Sequence, residues 1–153
     1  DINEIISHSV DLHQEILKKN NIICNIDKKT KDPIINGDRN RLIEVFNNLI
    51  DNAIKYSEKN KKITITTISD DKNLTAIVKD EGIGISRENI PQITERFFRA
   101  NPAKSKEVGG TGLGLAIVKH IVNQHRAEMN ISSEENKGTT ISINFPKSWL
   151  IQP

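Results

Sequence analysis

Polar side chains at helical spacing are the first feature of this sequence that could support chemistry. Within residues 38–56, Asn48, Asn52 and Lys55 project within roughly 60° of one another when each residue advances by about 100°. Two amide oxygens and one amine on one side of a helix could hold a metal ion and neutralise a phosphate. The same spacing also occurs on helices whose polar face serves only solubility, so these residues need a second element before they indicate a site.

A carboxylate followed by a glycine turn provides that second element. Asp80 closes a run typical of a β-strand and is followed by Gly82-Ile83-Gly84. Glycines permit a close approach to the backbone, which a ligand could use. An aspartate before such a turn is, taken alone, also common in turns that bind nothing.

Residues 109–115, Gly-Gly-Thr-Gly-Leu-Gly-Leu, form a third candidate element because they lead into a helical pattern. A helix start presents unpaired N–H groups and a positive dipole end, and both favour a phosphate. No Gly-Lys-Ser/Thr ends the segment, and no strand runs directly into it with an acid about twenty residues later. The two common phosphate-loop patterns are therefore absent, and a flexible glycine hinge stays open for this segment taken alone.

In this order, the segments resemble the ATP-binding catalytic domain of sensor histidine kinases, in the wider group with gyrase, mismatch-repair and heat-shock chaperone ATPases. Residues 48–56 resemble its asparagine box, residues 80–85 its first glycine box, residues 95–99 its phenylalanine box and residues 109–115 its second glycine box. Residues 139–146 resemble its closing strand. The resemblance covers nearly the whole chain and is strongest to the phosphate-sensor and osmosensor branch.

The resemblance implies that Asp80 accepts a hydrogen bond from the adenine amino group. Guanine presents an oxygen there, and two facing acceptors would cost a few kcal/mol, which favours ATP over GTP. Tyr56 is expected to border the adenine, with Ile85 and Leu115 as apolar walls, although ordinary core packing explains these three residues as well. The further nucleotide-binding positions that the resemblance implies are Gly82, Gly84, Phe97, Gly110, Thr111, Gly112, Leu113, Gly114 and Thr140.

The resemblance also implies the roles at the phosphate end. Asn52 would be the Mg²⁺ ligand, since Mg²⁺ keeps several waters and takes other ligands from the phosphates. Lys55 would neutralise phosphate charge, and Arg99 would contact the γ-phosphate as a mobile lid over residues 97–111 closes. Asn48 stands where the ATPase relatives carry a catalytic glutamate. Because an amide cannot take a proton from water, we expect slow hydrolysis, with ATP kept for transfer.

The acceptor histidine is expected on another domain. None of the four histidines is followed at once by an acid and shortly by Arg and Pro, so we predict structural roles for His8, His13, His120 and His125. The expected partners are the dimerisation and phosphoacceptor domain of the same kinase and a downstream response regulator. The chain begins without an initiator Met, and we expect a monomeric fragment of a homodimeric kinase, its cytoplasmic domain beneath a membrane anchor.

Two other functions are weighed against this interpretation. One is a catalytically degenerate module that senses ATP or ADP and regulates a partner without chemistry. The other is a clamp-type ATPase like gyrase, which Asn48 and the short lid disfavour. Transfer of the phosphoryl group to an acceptor histidine, binding of ATP without transfer, and rapid hydrolysis are the three observations that separate these functions.

The elements that must position these residues predict an α/β fold in a single domain, residues 1–153. Helices are predicted over residues 1–19, 38–56, 89–94 and 112–125, and strands over residues 22–26, 63–68, 74–78, 129–132 and 140–145. The first two helices each carry apolar residues at helical spacing that should form a buried stripe, namely Ile5, Ile6, Leu12, Ile16 and Leu17 in the first and Leu42, Val45, Phe46, Leu49 and Ala53 in the second. The order of the helices and strands favours a two-layer sandwich, in which a mixed, mostly antiparallel sheet packs on about three helices and carries the lid, as in the Bergerat-type fold. One departure is Arg126, where the family usually has glycine; a left-handed helix stop there would cost on the order of 1 kcal/mol.

Composition excludes several classes of protein. With 22 Lys and Arg against 20 Asp and Glu, the net charge of +2 is too small for a chain that mainly coats nucleic acid. A single cysteine, Cys24, cannot form an internal disulfide and is expected to be an ordinary strand residue. The histidine pairs are five residues apart, which does not match the i, i+4 spacing of a helical metal pair, so no metal other than Mg²⁺ is expected.

Overall fold

The central helix, α3, spans Arg39–Tyr56 in a computed structural model that describes residues 1–57, 60–96 and 114–147. It begins as predicted, because Asp38 is extended (φ −84°, ψ 110°) and its carboxylate accepts the Arg41 N–H at 3.2 Å. Its predicted apolar stripe is confirmed, and the buried residues of the helix are Leu42, Val45, Phe46, Leu49, Ile50, Ala53 and Ile54.

Five strands form one sheet in the order β1-β2-β3-β5-β4. They are β1 (Ile23–Lys28), β2 (Lys62–Ser69), β3 (Asn73–Asp80), β4 (Glu128–Glu134) and β5 (Gly138–Pro146). Only the β1–β2 pair is parallel, and the other three pairs are antiparallel. The predicted mixed, mostly antiparallel sheet is confirmed.

The core lies between one face of this sheet and the helices. Along β2, Ile63 and Ile65 are fully buried while Thr64 and Thr66 are only half-buried, as expected when successive side chains point to opposite faces. The inward residues form one cluster with the buried stripe of α3 and with helix α4 (Gly114–Gln124). The arrangement is the predicted two-layer sandwich. None of the helices in the described ranges is long and apolar enough to span a membrane.

The N-terminal helix differs from the prediction because it divides at His13. Helix α1 spans Ile2–Leu12 and α2 spans Gln14–Lys19. The His13 ring lies with Nδ1 2.7 Å from the Ser9 carbonyl oxygen, so this side chain competes for a backbone acceptor of the helix. The predicted position of Leu12 and Ile16 on the buried stripe is wrong, since they are 61% and 45% exposed. The division also gives four α-helices within residues 1–57, 60–96 and 114–147, where about three were expected.

The segment predicted as a short helix over residues 89–94 is a single 3₁₀ turn, Ile90–Gln92. The N–H groups of Gln92, Ile93 and Glu95 each donate to a carbonyl three residues earlier, and Pro91 has no N–H to donate. The turn therefore does not extend into an α-helix.

Helix α4 ends in a left-handed residue although that residue is not glycine. Arg126 has a φ of +55°, the Ala127 N–H donates to the Val122 carbonyl at 3.0 Å, and the Arg126 N–H donates to the Asn123 carbonyl at 3.1 Å. This is the Schellman arrangement, and Ala127 and Val122, the residues that the first of these hydrogen bonds joins, are both buried. The fold keeps the left-handed stop and tolerates the backbone strain of an arginine there.

Candidate functional site

Asp80 is a buried carboxylate at the end of β3. It is 8% exposed, and its Oδ1 accepts the N–H groups of Gly82 at 2.9 Å and Thr139 at 3.2 Å. Burial raises the pKa of Asp80 above its ordinary value of 3.8, and the two hydrogen bonds oppose that rise. Among the described residues no hydrogen bond reaches Oδ2. Within the described part of the chain, the backbone therefore holds one carboxylate oxygen, and the other is the candidate acceptor for a ligand.

Gly82 brings the end of β3 against the last turn of α3. A Cβ at this position would lie 2.2 Å from the Tyr56 carbonyl oxygen and 3.0 Å from Asp80 Oδ1. The Ile83 N–H also donates to the Tyr56 carbonyl at 3.1 Å. Asn52 lies one helical turn, about 6 Å, before Tyr56. The strand-end carboxylate and the polar helix are therefore joined, as the candidate site requires.

Gly84 packs the same turn against the β4–β5 hairpin. It has a φ of +72°, and a Cβ there would lie 2.1 Å from the Glu134 carbonyl oxygen. The Asn136 N–H donates to the Ile83 carbonyl at 2.7 Å, and the Ile85 N–H donates to Ser133 Oγ at 2.7 Å. The close approach that these glycines permit is therefore made by the protein's own backbone.

Thr139 contacts Asp80, whereas Thr140 does not face it. Thr139 is buried, its N–H donates to Asp80, and its hydroxyl lies 2.8 Å from Ser133 Oγ. Thr140 is half-buried and points to the opposite face of the sheet, since side chains alternate along β5. The structure thus brings Thr139 against the Asp80 carboxylate, while the role of Thr140 in nucleotide binding stays a prediction. Ile141 and Ile143 are apolar and in phase with Thr139, so alternation could have revealed from the sequence that Thr139 faces inward.

The polar flank of α3 meets the start of α4. Asn48, Asn52 and Lys55 are half-buried, as their spacing predicts for a flank of the helix. A Cβ on Gly114, the first residue of α4, would lie 3.3 Å from Asn48 Oδ1. The Asn48 amide donates to the Glu44 carbonyl at 2.9 Å, and Lys55 Nζ lies 3.0 Å from a carboxylate oxygen of Asp51. A helix start and an amide-bearing flank therefore adjoin.

The other predicted site residues are placed less directly. Ile85 is half-buried near the β4–β5 hairpin, and Leu115 is buried in the core. The described part of the chain contains no group of three or more His, Cys, Asp or Glu side chains placed to hold a metal. The predicted lid over residues 97–111 lies outside the described residues, as do the site candidates Phe97, Arg99, Gly110, Thr111, Gly112 and Leu113.

Comparison with known proteins decides the family. Residues 37–148 match the family described as histidine kinase-, DNA gyrase B-, and HSP90-like ATPase. The chain belongs to this family. The match covers both the central helix and the closing strand, and it extends across the site assembled above. ATP binding is the property that gives this family its description.

Sensor kinases are among the relatives of this chain. The phosphate regulon sensor protein PhoR of Pseudomonas aeruginosa is 40% identical over 118 residues, which are 77% of this chain and 27% of the relative. The sensor-like histidine kinase SenX3 of Mycolicibacterium smegmatis is 34% identical over 147 residues, 96% of this chain and 38% of the relative. The chain thus spans between about a quarter and two-fifths of these relatives.

Solved structures confirm the fold. The catalytic domain of histidine kinase ThkA superposes with a TM-score of 0.84 at 30% identity, covering 96% of this chain and 95% of that one. The mycobacterial sensor histidine kinase MprB gives 0.79 at 27% identity, with 95% and 94% covered. The resemblance drawn from the four sequence motifs is therefore confirmed. By family and by fold, the chain is a histidine kinase-type ATPase domain.

Proposed function

We propose that this domain binds Mg·ATP and transfers the γ-phosphoryl group to a histidine on a separate dimerisation and phosphoacceptor domain of the same kinase. The observation that carries the proposal is the junction at Gly82, where the Asp80 carboxylate meets the last turn of the helix that bears Asn52 and Lys55. This junction supports the proposal because an acceptor for a base and a polar flank for phosphates would then lie on adjacent elements.

Asp80 would recognise the base. Its Oδ1 is occupied by two backbone N–H groups, so Oδ2 is the oxygen that would accept the adenine amino group. Tyr56 and Ile85, both half-buried at the edges of the junction, would border the ring. Guanine would place its carbonyl oxygen against the carboxylate, so this site would prefer ATP to GTP.

The flank of α3 would hold the phosphates. Asn52 would give a neutral amide oxygen to Mg²⁺, and one protein oxygen fits an ion that takes its other ligands from water and phosphate. When bound, Mg²⁺ would offset the charge of the phosphate oxygens. Lys55 would add a positive charge, and Gly114 would bring the start of α4 beside them. Arg99 and residues 97–111 are proposed from the resemblance alone to contact and cover the γ-phosphate.

Transfer rather than hydrolysis follows from Asn48. In the transfer step, an imidazole nitrogen of the acceptor forms a bond to the γ-phosphorus with its lone pair. The bond from that phosphorus to the bridging oxygen breaks, and ADP leaves with the electron pair. Asn48 lies against the start of α4 with an amide that cannot take a proton from water. An incoming water would therefore find no base at this residue to take its proton. An incoming imidazole attacks with a lone pair that is already free and does not need such a base from Asn48.

The proposed context is two-component signalling. A solved structure shows histidine kinase ThkA in complex with response regulator protein TrrA, and its kinase aligns with 97% of this chain at 27% identity and a TM-score of 0.79. By analogy, we propose that the phosphoryl group passes from the acceptor histidine to a response regulator. We also propose that the parent kinase is a homodimer anchored in a membrane.

The test separates binding from transfer. Calorimetry with Mg·ATP measures binding, and γ-labelled ATP mixed with this chain and a histidine-bearing acceptor domain measures transfer as an acid-labile, base-stable label. Asn52→Ala should abolish the label, while Asn40→Ala, on the exposed start of the same helix, should not. Binding without transfer would instead indicate a sensing module, and rapid phosphate release by the chain alone would indicate a clamp-type ATPase. Normal transfer by Asn52→Ala would refute the Mg²⁺ assignment.

A further inference from the structure

A buried histidine joins the start of α3 to the end of α4, away from Asn52 and Gly114. His125 follows the last residue of α4 and is 7% exposed. Its Nδ1 lies 2.8 Å from the Ile121 carbonyl oxygen, and its Nε2 lies 3.0 Å from the Asp38 backbone nitrogen. A carbonyl can only accept and a backbone N–H can only donate, so Nδ1 carries the proton and Nε2 the lone pair. The ring is therefore neutral and in one defined tautomer.

The partner of that lone pair is the backbone N–H of Asp38, the residue that caps α3. Asp38 caps the helix with its side chain, which accepts the Arg41 N–H, while its own N–H donates to His125. The segment before it fits closely on the ring, since a Cβ on Gly37 would lie 2.9 Å from Cδ2 and 3.0 Å from Nε2 of His125. The imidazole is thus bonded to α4 through one nitrogen and to the start of α3 through the other.

Helices α3 and α4 are therefore in contact near both ends of α4. Gly114, at the start of α4, adjoins Asn48, and His125, just past its end, holds Asp38. His125 follows Gly114 by eleven residues, which is a helical length of about 16 Å. A shift at the His125 end would move the start of α4 along or away from Asn48, because a helix of this length moves as a rigid rod.

We propose that His125 is a positioning residue, whose neutral imidazole fixes the register of α4 against α3 and so sets where the start of α4 meets Asn48. Its effect on nucleotide binding rests on the function proposed above. The alternative role is that of a space-filling core side chain. The two roles differ in whether the acceptor at Nε2 matters or only the volume of the ring.

Three variants separate the two roles. His125→Gln keeps an oxygen near the position of Nε2 and can still accept from Asp38. His125→Asn reaches only as far as Nδ1, so it can still bond to the Ile121 carbonyl but not to Asp38. His125→Phe keeps the volume of the ring and loses both bonds. The glutamine and asparagine variants form the matched pair, since both side chains are neutral amides. The comparison between these two remains valid even if His125→Phe does not fold.

The first measurement needs no nucleotide. Nitrogen-15 spectra of the ring should show a protonated Nδ1 and an unprotonated Nε2, and hydrogen exchange should show a protected Asp38 amide. Protection of that amide should persist in His125→Gln and fall by roughly tenfold or more in His125→Asn, which corresponds to the loss of one buried hydrogen bond. A proton on Nε2, or equal protection of the Asp38 amide in both variants, would overturn the inference.

The second measurement is the dissociation constant for Mg·ATP. We expect His125→Gln to bind within about twofold of the unmodified chain and His125→Asn to bind roughly tenfold more weakly. Equal binding by both variants, with the unmodified chain binding normally, would refute the positioning role. If the unmodified chain itself fails to bind Mg·ATP, the proposed function is wrong, while the exchange and tautomer results still decide whether His125 joins the two helices.

Discussion

Replacing Asp80 by asparagine should separate nucleotide recognition from folding. The carboxamide oxygen of Asp80→Asn can accept the same two N–H groups, from Gly82 and Thr139, that Oδ1 accepts now. The substitution removes a charge that burial disfavours, as the raised pKa of Asp80 indicates. The free energy of unfolding of the variant at neutral pH should therefore equal or exceed that of the unmodified chain.

Nucleotide binding should respond in the opposite direction. The amide nitrogen that replaces Oδ2 is a donor, and it would face the amino group of adenine, which is also a donor. Losing a hydrogen bond to a charged acceptor costs about 3 kcal/mol, or about 150-fold in the dissociation constant. Calorimetry with Mg·ATP measures the loss, and denaturant unfolding of the same samples measures stability. Undiminished Mg·ATP binding by Asp80→Asn would refute the assignment of Asp80 to the base.

The dependence on pH gives this prediction a second, independent readout. The folded-state pKa of Asp80 lies above its ordinary value of 3.8, so the folded chain takes up this proton at a higher pH than the unfolded chain does. As pH falls from neutral through the raised value toward 3.8, the unmodified chain should gain stability relative to Asp80→Asn. Over the same window its affinity for Mg·ATP should fall, because only the ionised carboxylate offers two acceptors.

Asp70 provides the matched control on the β2–β3 hairpin. Its Oδ1 accepts the N–H groups of Lys72 at 2.8 Å and Asn73 at 2.7 Å, and these bonds hold its pKa below the ordinary value. Its stabilising contribution is therefore present above pH 3.8 and lost as pH falls through the lowered value, the reverse of Asp80. Asp70→Asn should leave Mg·ATP binding unchanged. Equal effects of the two substitutions on binding would show that the loss at Asp80 is not specific to the site.

Further substitutions test the geometry of the site and of the helix stop. Gly82→Ala should lose both stability and Mg·ATP binding, because its Cβ would lie 2.2 Å from the Tyr56 carbonyl oxygen. Gly114→Ala would place its Cβ 3.3 Å from the side-chain oxygen of Asn48, and it should unfold at nearly the same denaturant concentration as the unmodified chain. Arg126→Gly should have a free energy of unfolding about 1 kcal/mol above that of Arg126→Ala, measured by denaturant unfolding, since both variants lose the arginine side chain and only glycine relieves a φ of +55°. Lys55→Gln should weaken Mg·ATP binding in calorimetry. It should change the free energy of unfolding by less than about 0.5 kcal/mol, because the ion pair that Lys55 makes with Asp51, four residues earlier, is a surface pair. No change in affinity for Lys55→Gln would argue against its contact with phosphate.

Local rules were enough to predict the central helix and the sheet. Asp38 is a helix-capping residue type followed by apolar residues at helical period, and α3 begins one residue later as expected. The strands of the β2–β3 hairpin each extend one or two residues beyond the prediction, because pairing continues past the last apolar side chain. In these elements the local signal and the tertiary contacts favour the same structure.

The differences arise where a distant or competing contact decides the structure. The division at His13 depends on a ring that bonds to the Ser9 carbonyl, which apolar periodicity does not report. Alternation along β5 indicates that Thr139 faces inward, but it does not reveal that the partner of Thr139 is Asp80, 59 positions earlier in the chain. The identity of the group that approaches Gly84 likewise depends on the packing of the β4–β5 hairpin. Such register and packing information is not contained in any single segment.

The glycines around Asp80 are explained by the burial of its carboxylate before any ligand is considered. Burying a charge requires donors, and those donors here are backbone N–H groups of Gly82 and Thr139 within 3.2 Å. To bring them so close, the chain must pass where a Cβ on Gly82 would strike the Tyr56 carbonyl, and where a Cβ on Gly138 would lie 2.1 Å from the Asp80 carbonyl. Loss of Mg·ATP binding in a variant of either glycine would therefore report a displaced carboxylate rather than a lost ligand contact. Only Asp80→Asn isolates recognition of the base, because it leaves this backbone in place.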